Sequence, residues 1–245
     1  MRYAVLGDIH GNLHAFQAVL EDARAAGVDR VLCVGDVVGY GAQPAECMQI
    51  MRELKPLIVG GNHDWGVAGR VSIQYFNADA RDSVEWTRDQ LSEQEIAELN
   101  ALDLVAISDD VTIVHSTLFA PEEFDYMQTL FDVQLSFKHL QTSICFCGHS
   151  HVPVMLLDGA SVECFLAPEL TLIEGQRAII NVGSVGQPRD LDPRACYFLY
   201  DSELRKVTMR RIEYDVHATS DSILSAGLPI TNARRLVLGR CARLR

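Results

Sequence analysis

Basic residues are scarce in this chain. Its 245 residues carry 21 Lys and Arg against 33 Asp and Glu, a formal charge of −12. No Lys/Arg block is dense enough to track a phosphate backbone, which argues against nucleic-acid binding through a basic face. Long hydrophobic runs are missing too. No apolar stretch reaches membrane-spanning length, and the opening residues MRYAVLGD enter a strand pattern without the charged and apolar regions of a signal peptide. A cytoplasmic protein with no membrane partner is the expectation. Cys-x-x-Cys pairs are also lacking. The seven cysteines, Cys33, Cys47, Cys145 and Cys164 among them, form an odd set in mainly apolar surroundings, which fits reduced core thiols better than a disulfide framework. Cys145 and Cys147 share one apolar run, where packing is favoured over metal binding. There is no low-complexity linker and no internal repeat, so one domain over residues 1–245 is expected.

What is present is apolar and periodic. Hydrophobic residues make up 48% of the chain, ample for a large core. The runs YAVLGD, RVLCVGD, PLIVGGNHD, VTIVHS, SICFCGHSH and AIINVGS are each short, apolar, and closed by Gly or a polar cluster. Such runs read as strands covered on both faces. Between the first two, Leu13, Phe16, Val19, Leu20 and Ala23 recur at helical spacing, with Asn12 suited to the N-cap and Gly27 to the position after the C-cap. That is a βαβ unit. A second helix opens at Pro44 and must end before Pro56. Residues of about 78 to 102 read as a helical excursion, with a capping box from Ser92 to Glu95 and Leu91 and Ile96 placed as a staple. After Val152 come strands separated by Asp-Gly and Glu-Gly turns. Residues 196–214 then read as a hairpin with two alternating arms, followed by a helix near 216 to 226 and a basic amphipathic tail, RRLVLGRCARLR.

The chemistry lies where strands end. In open α/β sheets, side chains beyond the carboxyl ends of neighbouring strands converge on one crevice. Here those positions hold Asp8, His10, Asp36, Asn62, His63, His115, His149 and His151. Five of the eight histidines fall there, a bias that core packing does not predict. Imidazole, carboxylate and carboxamide oxygen form the ligand set of divalent transition metals of intermediate hardness, and cysteine is absent from every cluster. The candidates outnumber the four ligands of a tetrahedral zinc site, so two ions sharing one carboxylate are expected. Two divalent ions with two Asp and a hydroxide would leave a net positive charge for an anionic substrate, which outweighs the diffuse acidic surface.

The motifs GDIHGN, GDVVGYG, GNHD, VHS and GHSH, in this order and each after an apolar run, resemble the calcineurin-like metallophosphoesterase superfamily. The later NVGSVGQPRD resembles a branch of small bacterial and archaeal phosphodiesterases. The motifs span residues 7 to 190. The resemblance implies an α/β fold, a β-sandwich flanked by helices in four αββα layers. It implies two divalent transition-metal ions, with Mn, Fe, Zn, Ni and Co all compatible. Asp8, His10 and His151 would bind one ion, Asp36 would bridge, and Asn62, His115 and His149 would complete the second site, with Asn62 also beside the substrate. His63 would face the phosphoryl group, stabilising charge there or protonating the leaving oxygen, while Asp64 would fix its loop or orient His63, or simply start a helix. A metal-bridging water would be the nucleophile.

Departures from relatives narrow the expectation. The Ser/Thr phosphatase branch continues its second motif into Asp-Arg-Gly, where this chain has Gly39-Tyr40-Gly41. A phosphodiesterase acting on a small phosphorylated substrate is therefore favoured, with a dinucleoside polyphosphate hydrolase or a phosphomonoesterase as alternatives. Arg189 is placed at the rim as a phosphate contact, or else in a salt bridge to Asp190 or Asp192. Tyr40 and Trp65 read as packing before stacking surfaces, and His14, His139 and His217 as non-functional. Two other classes stay open: a non-catalytic scaffold of the same fold, and a signalling protein docking through its basic tail. The retained His63 weighs against the scaffold, and a solvated helix or a contact within a homo-oligomer is the plainer reading of the tail.

Overall fold

A run of four apolar residues makes a strand only where both of its faces are covered, and that condition shapes the architecture. The computed structural model describes residues 1–159 and 161–240. In chain order, β1 (Arg2–Leu6), α1 (Leu13–Ala25), β2 (Arg30–Cys33), α2 (Pro44–Leu54) and β3 (Leu57–Ile58) come first. The helices α3 (Asn62–Ala68), α4 (Ala78–Gln90) and α5 (Glu93–Asn100) follow, then β4 (Val105–Ser108), β5 (Val111–Val114) and α6 (Leu130–His139). The remainder comprises β6 (Ile144–Cys147), β7 (Val154–Leu157), β8 (Glu163–Phe165), β9 (Glu169–Thr171), β10 (Ala178–Asn181), β11 (Ala195–Asp201), β12 (Lys206–Ile212), α7 (Val216–Ser225) and α8 (Ile230–Leu238).

The strands form two six-stranded sheets, ordered β3-β2-β1-β11-β12-β9 and β4-β5-β6-β10-β7-β8. Strand alternation explains how they stack. Tyr3 and Val5 of β1 join Ile113, Ile144 and Phe146 in a core between the sheets, while Ala4 and Leu6 pack outward against Phe16, Val19 and Leu20 of α1. On the far side, Val114, Cys145 and Cys147 turn outward onto Val133 and Phe137 of α6. Helix, sheet, sheet, helix is the order of layers, as the resemblance implies. Burial lifts the Cys145 thiol well above its ordinary range and pushes Cys147 up to about 12, so both are protonated packing groups. Among the described cysteines all are free and buried except Cys164, which is exposed on the short β8.

Local signals hold where they are strong. The Asn12 side chain accepts the Ala15 amide at the start of α1, and Ser92 and Glu95 cap α5 reciprocally. The expected alternation in the 196–214 hairpin does not hold for β11, whose first four residues are all buried. The cause is position: β11 lies inside its sheet, between β1 and β12, and is covered on both faces. In β12, next to the edge strand β9, Val207 is buried while its neighbours are only half-covered. The tail is helical through α8, and residues 241–245, including Cys241, lie outside the described residues. No helix among the described residues is long and apolar enough to cross a membrane.

Topology sets up the site. β1, β2 and β3 run parallel in one sheet, as do β5, β6 and β10 in the other. Each trio leads from its carboxyl ends into the loops that hold the polar clusters.

Candidate metal centre

The loops after β1, β2 and β6 turn sharply. Asp8, His10, Asp36, His149 and His151 all adopt positive φ, between 49 and 68 degrees. A left-handed residue other than glycine is costly, and such residues cluster where surrounding structure holds them for function. Cross-links between loops supply that hold. The Asp8 carboxylate accepts the His149 amide, Ser184 donates to the Asp8 carbonyl, and Asn12 donates to the Gly186 carbonyl.

The result is a buried and nearly continuous set of donor atoms. Asp8, His10 and His151 form one group, and Asp36, His115 and His149 a second, with the atoms of each within 4.8 Å of one another. Asp36 sits between the groups. Its Oδ2 lies 3.7 Å from His10 Nε2 and 3.3 Å from His115 Nε2. Asn62 places Oδ1 3.2 Å from His115 Nε2. All seven residues proposed from sequence as ligands therefore meet in one place.

Hydrogen bonding fixes which nitrogens face inward. His10, His115 and His151 each turn Nδ1 to a backbone carbonyl, those of Val38, Val34 and Gln187, at 3.1, 2.8 and 2.7 Å. A carbonyl only accepts, so Nδ1 carries the proton and Nε2 presents a lone pair to the centre. His149 is reversed, with Nδ1 3.2 Å from His115 Nε2 and a buried Nε2 without a partner. The Nε2 atoms of His10 and His151 lie 3.1 Å apart. With the rings neutral, lone pairs converge with carboxylates and no donor between them, a poor hydrogen-bond network that fits divalent cations well; in the metal-free chain His115 is the exception, since burial lowers its pKa but the Asp36 carboxylate raises it to about 9. Burial lowers the pKa of His10, His149 and His151, which keeps them neutral as ligation requires.

Asp64 is wholly buried, and each of its oxygens takes two amides. Oδ2 accepts from Asp36 and Gly61 at 2.7 and 3.0 Å, and Oδ1 from Val37 and Val38 at 2.9 and 3.3 Å. Burial and the neighbouring Asp36 push its pKa up to about 7 while the amides pull it down. Every partner is a donor, so the bonding pattern is that of an ionised carboxylate. Of the roles expected for Asp64, fixing its loop and starting α3 match this geometry, whereas no hydrogen bond from it reaches the His63 ring. Gly61 is required beside Asp64, because a Cβ there would lie 2.0 Å from Asp36 Oδ1.

His63 packs its ring against Tyr40 and Phe76, with centroids 4.4 and 5.4 Å away. Nδ1 is buried without a partner, and a Cβ on Gly39 would stand only 2.4 Å from it. The backbone at Gly39 thus closes directly against the His63 ring. Burial holds His63 down to about 4. His63 and five of its polar neighbours, Asp36, Asn62, His149, His151 and Arg189, line a cavity of about 640 Å³.

Arg189 lies on this cavity, its guanidinium bonded to Gln187 Oε1 at 3.0 Å and 5.7 Å from the Tyr40 ring centre. Nearby, Asp190 pairs with Arg211 and Asp192 with Arg194. Trp65 packs as expected, buried beneath the Arg70 guanidinium. Sequence reasoning missed Tyr126, whose ring stacks on His149 at 4.1 Å with Arg189 as a hydrogen-bond donor to its phenol. It also missed Phe124, edge-on to Trp65 and His115. Only the apolar, acidic segment preceding α6 hinted at either.

Residues 1–204 match the family model described as the calcineurin-like phosphoesterase superfamily domain. A solved structure, a metallophosphoesterase from Sphaerobacter thermophilus, is 37% identical and superposes with a TM-score of 0.86, covering 98% of this chain and 99% of that one. An uncharacterised protein of Methanocaldococcus jannaschii is 35% identical over 241 residues, 97% of this chain and 98% of its own. A hypothetical protein of Pyrococcus horikoshii shares the fold at 19% identity, with a TM-score of 0.79 over 98% of this chain and 99% of its own.

Proposed function

The chain belongs to the calcineurin-like phosphoesterase superfamily, and from that premise we propose that it is a dinuclear metal-dependent phosphodiesterase acting on a small substrate. Asp8, His10 and His151 would hold one ion, Asn62, His115 and His149 the other, with Asp36 shared between them. The all-N/O donor set suits Mn, Fe, Co, Ni or Zn. Bound there, such ions supply Lewis acidity toward a phosphoryl oxygen and toward water.

The chain's own groups do the rest. His63 is neutral at neutral pH because burial holds it low, so it acts as an N–H donor to the phosphoryl group rather than as an imidazolium. Nδ1 is sealed against Gly39, which leaves Nε2 for that contact. Arg189 and the Tyr126 hydroxyl lie together on the cavity side and are suited to the non-bridging oxygens. Asp64 keeps Asp36 and His63 in register through the amides of Asp36, Val37, Val38 and Gly61.

The observation that carries the diester reading is the partnerless His63 Nδ1 against Gly39, together with a single guanidinium on the cavity. Among the described residues Arg189 is the one Arg or Lys lining it. A monoester dianion asks for more cationic contacts than a diester monoanion. The test is hydrolysis by metal-stripped protein resupplied with Mn, comparing an aryl phosphodiester with the matching monoester. Faster diester cleavage is expected; preference for the monoester would make the protein a phosphatase, and no turnover with both metals bound would favour the scaffold.

A further inference from the structure

The cavity extends past the ligand cluster between two aromatic walls. One is the turn before α4, with Tyr75 and Phe76; the other is the segment between β5 and α6, with Phe124 and Tyr126. Tyr75 is 87% exposed and Tyr126 44%, more than packing alone explains. Glu122 and Glu123 line the same space, and neither carboxylate has a hydrogen-bond or ion-pair partner among the described residues. On the cavity floor, His149 keeps a buried Nε2 without a partner beneath the Tyr126 ring. Aromatic faces and free carboxylates thus border a space that opens directly onto the proposed reacting centre.

We propose, resting on the phosphodiesterase reading, that the substrate is a phosphodiester in which one of the two alcohols bears a positively charged ammonium group received by this wall. An ammonium gains from ring faces and carboxylates together. A neutral alcohol gains from neither charge term. A second phosphate placed there would meet Glu122 and Glu123, which turns the site away from dinucleoside polyphosphates. The sign of the wall is thus opposite to that of the metal cluster, and a zwitterionic diester satisfies both at once.

The test isolates charge from shape. p-Nitrophenyl phosphorylcholine and p-nitrophenyl 3,3-dimethylbutyl phosphate share leaving group and outline and differ in the charge of one quaternary centre. With the metal-loaded enzyme, kcat/KM for the cationic ester is expected to exceed that of its neutral twin by about tenfold at low salt, and less at high salt. In the double variant Glu122→Gln/Glu123→Gln the ratio should fall toward unity; because it is taken within one preparation, folded fraction cancels. Equal kcat/KM for the two esters in the wild type, or a ratio that survives the double variant, overturns the inference. Bis(p-nitrophenyl) phosphate separates the two layers. Its hydrolysis alongside a ratio near unity overturns only the ammonium subsite, whereas no turnover of any diester with metals bound overturns the phosphodiesterase reading and this inference with it.

Discussion

Replacing Asp64 by Asn is the most informative single change, because it alters one atom in a wholly buried group whose oxygens each accept two backbone amides. The carboxamide keeps one acceptor and turns an NH2 toward two N–H groups that cannot accept it. Bonds to a charged acceptor contribute about 1.5–3 kcal/mol each, so losing two should cost about 3–6 kcal/mol, with the donor-against-donor contact in addition. At about 2–4 °C per kcal/mol for a chain of this size, the melting point should fall by about 10 °C. The two amides released are those of Asp36 and Gly61 or those of Val37 and Val38, depending on which oxygen the carboxamide replaces, and either loss loosens the loop that aims the Asp36 carboxylate. Below the melting transition, the variant should therefore bind metal more weakly, as read by equilibrium dialysis with elemental analysis, and turnover should recover in part at raised metal concentration. The refuting result is specific: a variant that melts like the wild type, holds both metals and yet has lost turnover would make Asp64 a proton-transfer group, not a positioning one.

The other outcomes concern the ligands and His63. His63→Ala should keep metal stoichiometry while losing most turnover, whereas Asp36→Ala should lose both metals; equal metal loss in the two would remove the separate role of His63. The second cluster should also release a proton on loading. Burial pulls His115 down, but the Asp36 carboxylate 3.3 Å away outweighs it and lifts the ring to about 9 in the metal-free chain. A ligand must be neutral, so metal affinity should climb with pH up to about 9 and then level off. The sign for the metal-free fold is the reverse: this pair stabilises fully below the ordinary value of 6.5 and loses that contribution as pH rises through about 9. Calorimetric titration of metal at pH 7 in two buffers of different ionisation enthalpy checks the proton, and identical heats after buffer correction for zero protons would refute it.

What could be read from the sequence follows the range over which each signal acts. Strands buried on both faces announce themselves through their apolar runs, and their ends carry the candidate ligands, so Asp8, Asp36, Asn62, His115 and His149 were each marked by a residue or two of local context. Helix starts at Asn12 and Ser92 were legible for the same reason, since a cap satisfies amides three residues away. β11 misled because its neighbours β1 and β12, not its own pattern, decide that both faces are covered. Tyr126 was invisible because it reaches His149 from a loop joining β5 to α6, and no spacing along the chain encodes a stack across two loops. Asp64 shows the boundary most sharply. Its bond to Gly61 spans three residues and is the helix-start reading, while those to Asp36, Val37 and Val38 span 28, 27 and 26. One side chain thus performs both the bland role and the functional one, and only the second joins the loop after β2 to the loop after β3. The two readings therefore do not compete: the helix start fixes where the carboxylate points, and that direction lets it hold the Asp36 loop at the centre of the site.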